Sequence, residues 1–178
     1  MSAQPERERS RSARWLDGVL VVLGLGAVWY LVQQKDTGPP EGEPARPFEL
    51  PLVGESGRAT FSGQRARPLL VEAFASWCTA CRRSSSIMDG LRDATERGQL
   101  DILLVSVDDS SSAALEAKRS WPIELPVAFD DSGAFQRDYR IKVLPTYVLI
   151  APDGRILDVS SGPPGPSTIR TWLHAGDR

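Results

Sequence analysis

Cys78 and Cys81 are the only thiols in the chain, set one helical turn apart in the run Trp77-Cys78-Thr79-Ala80-Cys81. A dithiol at this spacing can close and reopen as a disulfide, so thiol–disulfide exchange is the first chemistry to consider. The elements that must position it favour a reactive sulfur. Leu69 to Ala75 is a short, mostly apolar run that reads as a central strand, and after Thr79 the residues Ile87, Leu91 and Ala94 recur at helical spacing. Cys78 therefore falls at a strand-to-helix junction, where the unpaired amides and dipole of the helix N-terminus favour a thiolate. Cys81, one turn further in, is expected to be the more buried sulfur.

Other uses of the pair fit less well. A zinc site needs roughly four N or S ligands, and the chain adds only His174, which reads as a surface residue of a terminal helix. No metal is expected. A purely structural bridge is compatible with an oxidising compartment, but closing so short a loop removes little chain entropy.

The N-terminal region carries a second signal. No charge occurs between Asp17 and Lys35, and Gly18 to Val32 is almost wholly apolar. With flanking Trp15, Leu16, Gln33 and Gln34 the stretch approaches the roughly 20 residues that span a bilayer. Arg7, Arg9, Arg11 and Arg14 precede it, so the positive-inside rule places the N-terminus in the cytoplasm and the rest outside. Trp29-Tyr30-Leu31-Val32 offers no small-residue cleavage site, which favours a retained anchor over a cleaved signal. The following Pro-, Gly- and Glu-rich stretch has the composition of a semi-extended linker.

The expected organisation is a cytoplasmic tail over 1–14, a transmembrane anchor over 15–34, a linker over 35–47 and one domain over 48–178. A net charge of −2 from 21 basic and 23 acidic side chains gives no sign of nucleic-acid binding. The domain alternates strands and helices. Phe48 to Leu52 and Ala59 to Phe61 form a small hairpin or cap, followed by the Leu69 strand and a helix from Thr79 to about Gly98. Asp101 to Val107 is a second buried strand, Ser112 to Arg119 a helix, Val127 to Phe129 a short strand and Ser132 to Tyr139 a short helix. Thr146 to Ile150 and Ile156 to Val159 pair across a Pro152-Asp153-Gly154 turn before a last helix from Pro166 to about Ala175. Asp108-Asp109 and Asp130-Asp131, at strand ends, are expected to be solvated turn residues, and Arg82 and Arg83 solvated helix positions. The alternation predicts an α/β fold, a central mixed sheet flanked by helices.

These residues resemble the thioredoxin fold over about 47 to 176. They resemble in particular the membrane-anchored TlpA/ResA/DsbE-like thiol:disulfide oxidoreductases, through Trp77 to Cys81, Phe48-Glu49-Leu50-Pro51, the inserted Val127 to Tyr139 segment, Val143-Leu144-Pro145-Thr146 and Asp153-Gly154-Arg155-Ile156. The resemblance implies a cis-proline at Pro145 that, with Leu144 and Trp77, presents a surface to an extended substrate. It also implies that Glu72, at the position of thioredoxin's buried acid, takes the proton of Cys81. The chain departs from the pattern at Ser84, where many members carry an acid, and at Ala80, where many carry proline.

The reaction implied is attack by Cys78 on a disulfide of an exported protein, with resolution by Cys81. No cofactor is expected beyond the dithiol itself. An exported reductant would need recharging by a membrane electron-transfer protein, and apocytochrome cysteines in cytochrome c maturation are among the compatible clients. The same dithiol could instead introduce disulfides, or the domain could be a non-catalytic module that holds extended chains. A peroxidase is disfavoured by Ala75, where a threonine would stand, and copper delivery by the lack of a histidine near the dithiol.

Overall fold

The structure, a computed structural model, describes residues 19–29, 37–121 and 123–175. The chain divides into two units, 1–36 and 37–178. In the first, residues 19–29 form a helix, α1, whose apolar side chains are largely exposed. Among the described residues no helix is long and apolar enough to cross a membrane. The expected tail 1–14 and the ends of the expected anchor, 15–18 and 30–34, lie outside the described residues.

The second unit is built on β3 (Leu69–Phe74), every residue of which is buried. Parallel β4 (Asp101–Ser106) lies on one side of it and antiparallel β6 (Thr146–Ile150) on the other. Beyond them, β5 (Val127–Phe129) and β7 (Ile156–Ser161) complete the order β5-β4-β3-β6-β7. The expected mixed sheet is thus present, with the hairpin β1 (Phe48–Pro51) and β2 (Arg58–Phe61) as a separate antiparallel pair.

Alternation along β3 sends Leu70, Glu72 and Phe74 to one face and Leu69, Val71 and Ala73 to the other. The first face is covered by α2 (Thr79–Asp89), α4 (Ser111–Ser120) and α6 (Pro166–Leu173), which supply Cys81, Met88, Ala114, Ala117 and Trp172 to its core. The second face packs against the hairpin and α5 (Ala134–Asp138), through Leu50, Phe61, Phe135 and Tyr139.

Three expectations need correction. The helix expected to run to Gly98 stops at Gly90 and restarts as α3 (Arg92–Glu96), and the chain leaves it through Gly98 in a left-handed conformation. Glycine inside a helix costs about 1 kcal/mol relative to alanine, and the break still leaves Leu91 and Ala94 buried.

The aspartates at strand ends divide. Asp109 and Asp131 are exposed as expected, whereas Asp108 and Asp130 are buried. Asp130 accepts hydrogen bonds from the amides of Phe135 and Gln136 in the first turn of α5.

The linker composition also misleads from Thr37 onward, because this segment is a strap hydrogen-bonded to the domain. The amides of Gly38, Gly42 and Ala45 donate to the carbonyls of Arg140, Ile156 and Gly154, and Ile156 returns a bond to Glu43. Gly38 holds the strap close. Its φ is +86°, and a Cβ there would lie 2.3 Å from Val159 Cγ1. Gly38→Ala is therefore expected to destabilise the domain by about 1–3 kcal/mol, read as a lower urea midpoint at unchanged slope.

Candidate active site

The buried strand β3 ends at Phe74, and the chain turns through Ala75, Ser76 and Trp77 before α2 begins. Within that turn the Cys78 amide donates to the carbonyl of Ala75. Cys78 is the N-cap of α2, and its Sγ accepts a hydrogen bond of 3.1 Å from the amide of Cys81. Cys78 and Cys81 form a disulfide, with Cys81 the more buried partner as expected. On reduction, the same Cys81 amide and the free amides of the first turn would face a Cys78 thiolate.

Glu72 points to the α2 face of the sheet and is almost inaccessible, at 1% exposure. Its Oε1 receives the Tyr147 hydroxyl at 3.2 Å and the Ser84 hydroxyl at 3.3 Å, while Oε2 is buried and has no partner among the described residues. Ser84 Oγ also lies 3.0 Å from the carbonyl oxygen of Cys81. The carboxyl is thereby linked to the turn that carries the second sulfur. Burial pushes the Glu72 carboxyl from its ordinary 4.5 up to about 8, against the two hydroxyl bonds, which pull it down. Burial likewise pushes the Tyr147 phenol up, and the neighbouring Glu72 charge adds to this. Arg82 and Arg83 are exposed, as expected.

The proline expectation agrees with the backbone, since the Leu144-Pro145 peptide is cis. Thr146, next in sequence, pairs with Ala73 on β3, so this turn lies at the sheet end from which the dithiol loop departs. Pro145 is buried and its carbonyl accepts from the Gly162 amide, whereas Leu144 is half-buried. Trp77 is 71% exposed, the largest apolar side chain presented beside the dithiol. The sequence-predicted residues Glu72, Cys78, Cys81, Trp77, Leu144 and Pro145 are thus gathered at the same end of the sheet. Among the described residues, no group of three or more His, Cys, Asp or Glu side chains is placed to hold a metal ion.

Two residues of this region have roles that the sequence did not reveal. Asp108, just past the end of β4, accepts the Ser76 amide on both oxygens at 3.0 Å, the Ser76 hydroxyl at 2.7 Å and the Ser106 hydroxyl at 2.7 Å. It clamps the loop that presents Trp77 and Cys78. The available signal was Ser106, a polar residue closing an otherwise apolar buried strand two positions before Asp108. The other is Ser84, whose spacing of three from Cys81 places both on one helix face.

Residues 40–173 match the Redoxin family, and the chain belongs to that family. It is 23% identical over 117 residues to the thiol-disulfide oxidoreductase ResA of Bacillus subtilis, a match covering 66% of this chain and 65% of that protein. It is also similar to the thiol:disulfide interchange protein DsbE of Pseudomonas fluorescens, at 29% identity, with 66% of this chain and 68% of that one covered. A solved structure from Chlorobium tepidum, assigned as a thiol:disulfide interchange protein DsbE, superposes with a TM-score of 0.69 at 26% identity, covering 77% of this chain and 97% of that one. The chain spans just under two thirds of the length of the ResA relative. These likenesses agree with the resemblance to the TlpA/ResA/DsbE-like group and with its thioredoxin-like fold.

Two outcomes are expected. Between its ordinary 4.5 and about 8, Glu72 stays protonated in the folded chain but ionises in the unfolded one, so stability falls as pH rises through that window. The slope is about 1.4 kcal/mol per pH unit, and denaturation of oxidised Glu72→Gln should lack it. Asp108→Ala removes a charged acceptor from three donor groups and should cost about 3 kcal/mol, with faster amide hydrogen exchange at Ser76.

Proposed function

We propose that this protein is a membrane-anchored thiol:disulfide oxidoreductase that reduces disulfides of exported proteins. The observation that carries the proposal is the Cys78–Cys81 bridge at the start of α2, tied through Ser84 to the buried carboxyl of Glu72. The names of the ResA and DsbE relatives support the same reaction class.

In the reduced protein the Cys78 thiolate attacks one sulfur of a client disulfide. The client's other sulfur leaves with the bonding pair and takes a proton from solvent. Cys81 then loses its proton to ionised Glu72 and attacks Cys78 Sγ, which releases the first client sulfur as a thiolate and leaves the Cys78–Cys81 bridge. Two electrons have passed from the dithiol to the client. Trp77, Leu144 and Pro145 form the surface on which an extended client segment lies, and no cofactor takes part beyond the dithiol.

The apolar, exposed side chains of α1 support an anchor over 15–34, since Leu20, Val21, Val22, Leu23 and Leu25 are each well over half exposed and such a patch is stable only when covered. The arginines before it favour a cytoplasmic N-terminus and an extracytoplasmic domain. A membrane electron-transfer protein would then return electrons to the bridge. Cysteine pairs of exported proteins are the client class, with the haem-binding cysteines of apocytochromes among them.

The direction of exchange is tested by equilibrating the full chain, in detergent micelles, with glutathione or dithiothreitol buffers. A potential near thioredoxin's, about −270 mV, is expected, and one near −120 mV would make the protein an oxidant. Cys81→Ser should accumulate mixed disulfides with client proteins, visible on non-reducing gels, while Cys78→Ser should form none and turn over no substrate.

A further inference from the structure

We propose that the Ser84 hydroxyl is a two-position donor that serves Glu72 in both of its protonation states. With Tyr147, it sets the balance between them, which makes Ser84 and Tyr147 positioning residues for the resolving step. The proposal rests on the exchange reading of the dithiol and on Glu72 as the base for Cys81.

Ser84 Oγ lies within hydrogen-bond reach of two acceptors, Glu72 Oε1 at 3.3 Å and the Cys81 carbonyl at 3.0 Å. A hydroxyl has one proton to give and a carbonyl only accepts, so Ser84 serves one of them at a time. When Glu72 is ionised, the charged acceptor is the stronger one, and the hydroxyl turns toward it. When Glu72 carries a proton on Oε1, Ser84 accepts that proton's hydrogen bond and turns its own toward Cys81. One side chain, itself fully buried, therefore satisfies both states without any movement of the backbone.

The groups around Glu72 leave this role to hydroxyls. From α2 it is faced by Ser84 and the turn carrying the dithiol, and from β6 by Tyr147. The ring of Trp172 on α6 lies 5.1 Å from that of Tyr147, with its Nε1 bonded to Asp158 on β7. On β4 the register partner is Leu104. Among the described residues no lysine or arginine pairs with Glu72, and its Oε2 has no partner. Stabilisation of the anion thus falls to the two hydroxyls on Oε1. Both lower the pH at which Glu72 ionises, opposing its burial.

Deleting either hydroxyl should move the pH at which Glu72 becomes a base without impairing it once ionised. The proton returns to Cys81 when the bridge is next reduced, so Glu72 stores it between half-reactions.

The test measures, by rapid mixing of the full reduced chain in micelles with oxidised glutathione, the pH profile of mixed-disulfide resolution. Ser84→Ala and Tyr147→Phe should shift the midpoint up by about one pH unit, a roughly tenfold loss at pH 7, with the same plateau rate at high pH. Ser84→Thr should restore the wild-type profile. In Glu72→Gln the Glu72-dependent step should disappear, leaving a slower resolution that rises only with ionisation of the Cys81 thiol itself, and adding Ser84→Ala to it should change nothing further. Equal slowing of Ser84→Ala at every pH would reduce Ser84 to a packing residue and overturn the proposal. A Glu72→Gln profile like the wild type would remove the base, and the hydroxyl proposal with it, while leaving the dithiol chemistry intact. Absence of any exchange in the wild-type chain would instead refute the oxidoreductase reading on which both depend.

Discussion

The organising constraint is the junction at which a wholly buried strand becomes a helix. β3 lies between β4 and β6 and is covered on both faces, so its direction is set by the whole sheet. Reversing from strand to helix within a few residues leaves the first amides of α2 without helical partners. A sulfur at the N-cap satisfies one of them, through the Cys81 amide to Cys78 Sγ. The position that needs an acceptor is also the one that lowers the energy of a sulfur anion. Fold and reactivity have the same origin here.

Two buried carboxylates flank this junction, and the protein treats them oppositely. Asp108 is surrounded by donors, with the Ser76 amide and the hydroxyls of Ser76 and Ser106 all directed at it. So many donors make it a fixed fastening for the loop. Glu72 has two neutral hydroxyls on one oxygen and none on the other. It is a poor fastening, but because burial holds its ionisation up to about 8 it readily takes a proton once ionised. Burial raises the pH at which Glu72 ionises, and its two hydroxyl donors only partly oppose that.

Much of this was legible in the sequence. β3 could be read because its apolar run is interrupted only by Glu72, whose role as the buried acid came from the family resemblance. The dithiol, the proline turn and the terminal helix opening at Pro166 were readable because each depends on a residue with a narrow conformational or chemical role. Asp108 and Asp130 were misread because aspartate after a strand has the same local appearance whether it meets water or a ring of amides. The strap from Thr37 was misread for a related reason. Its attachments are mostly backbone N–H and C=O groups, which every residue carries, so composition reported its extended character but not what it binds. Ser84 lies in a run of three serines, and only the packing of α2 over β3 distinguishes it from its neighbours.

That strap gives the domain a load path. Traction applied at Thr37 would first meet the bond from the Lys142 amide to Thr37 Oγ1 and the bond from the Gly38 amide to Arg140. Both attach to the short stretch that leads directly into Val143, Leu144 and the cis-proline. The hairpin, β3 and the dithiol helix come later along the chain. Tension from the N-terminal side thus enters the domain both through the stretch that leads into the cis-proline turn and, where Gly38 lies against Val159, through the edge strand β7.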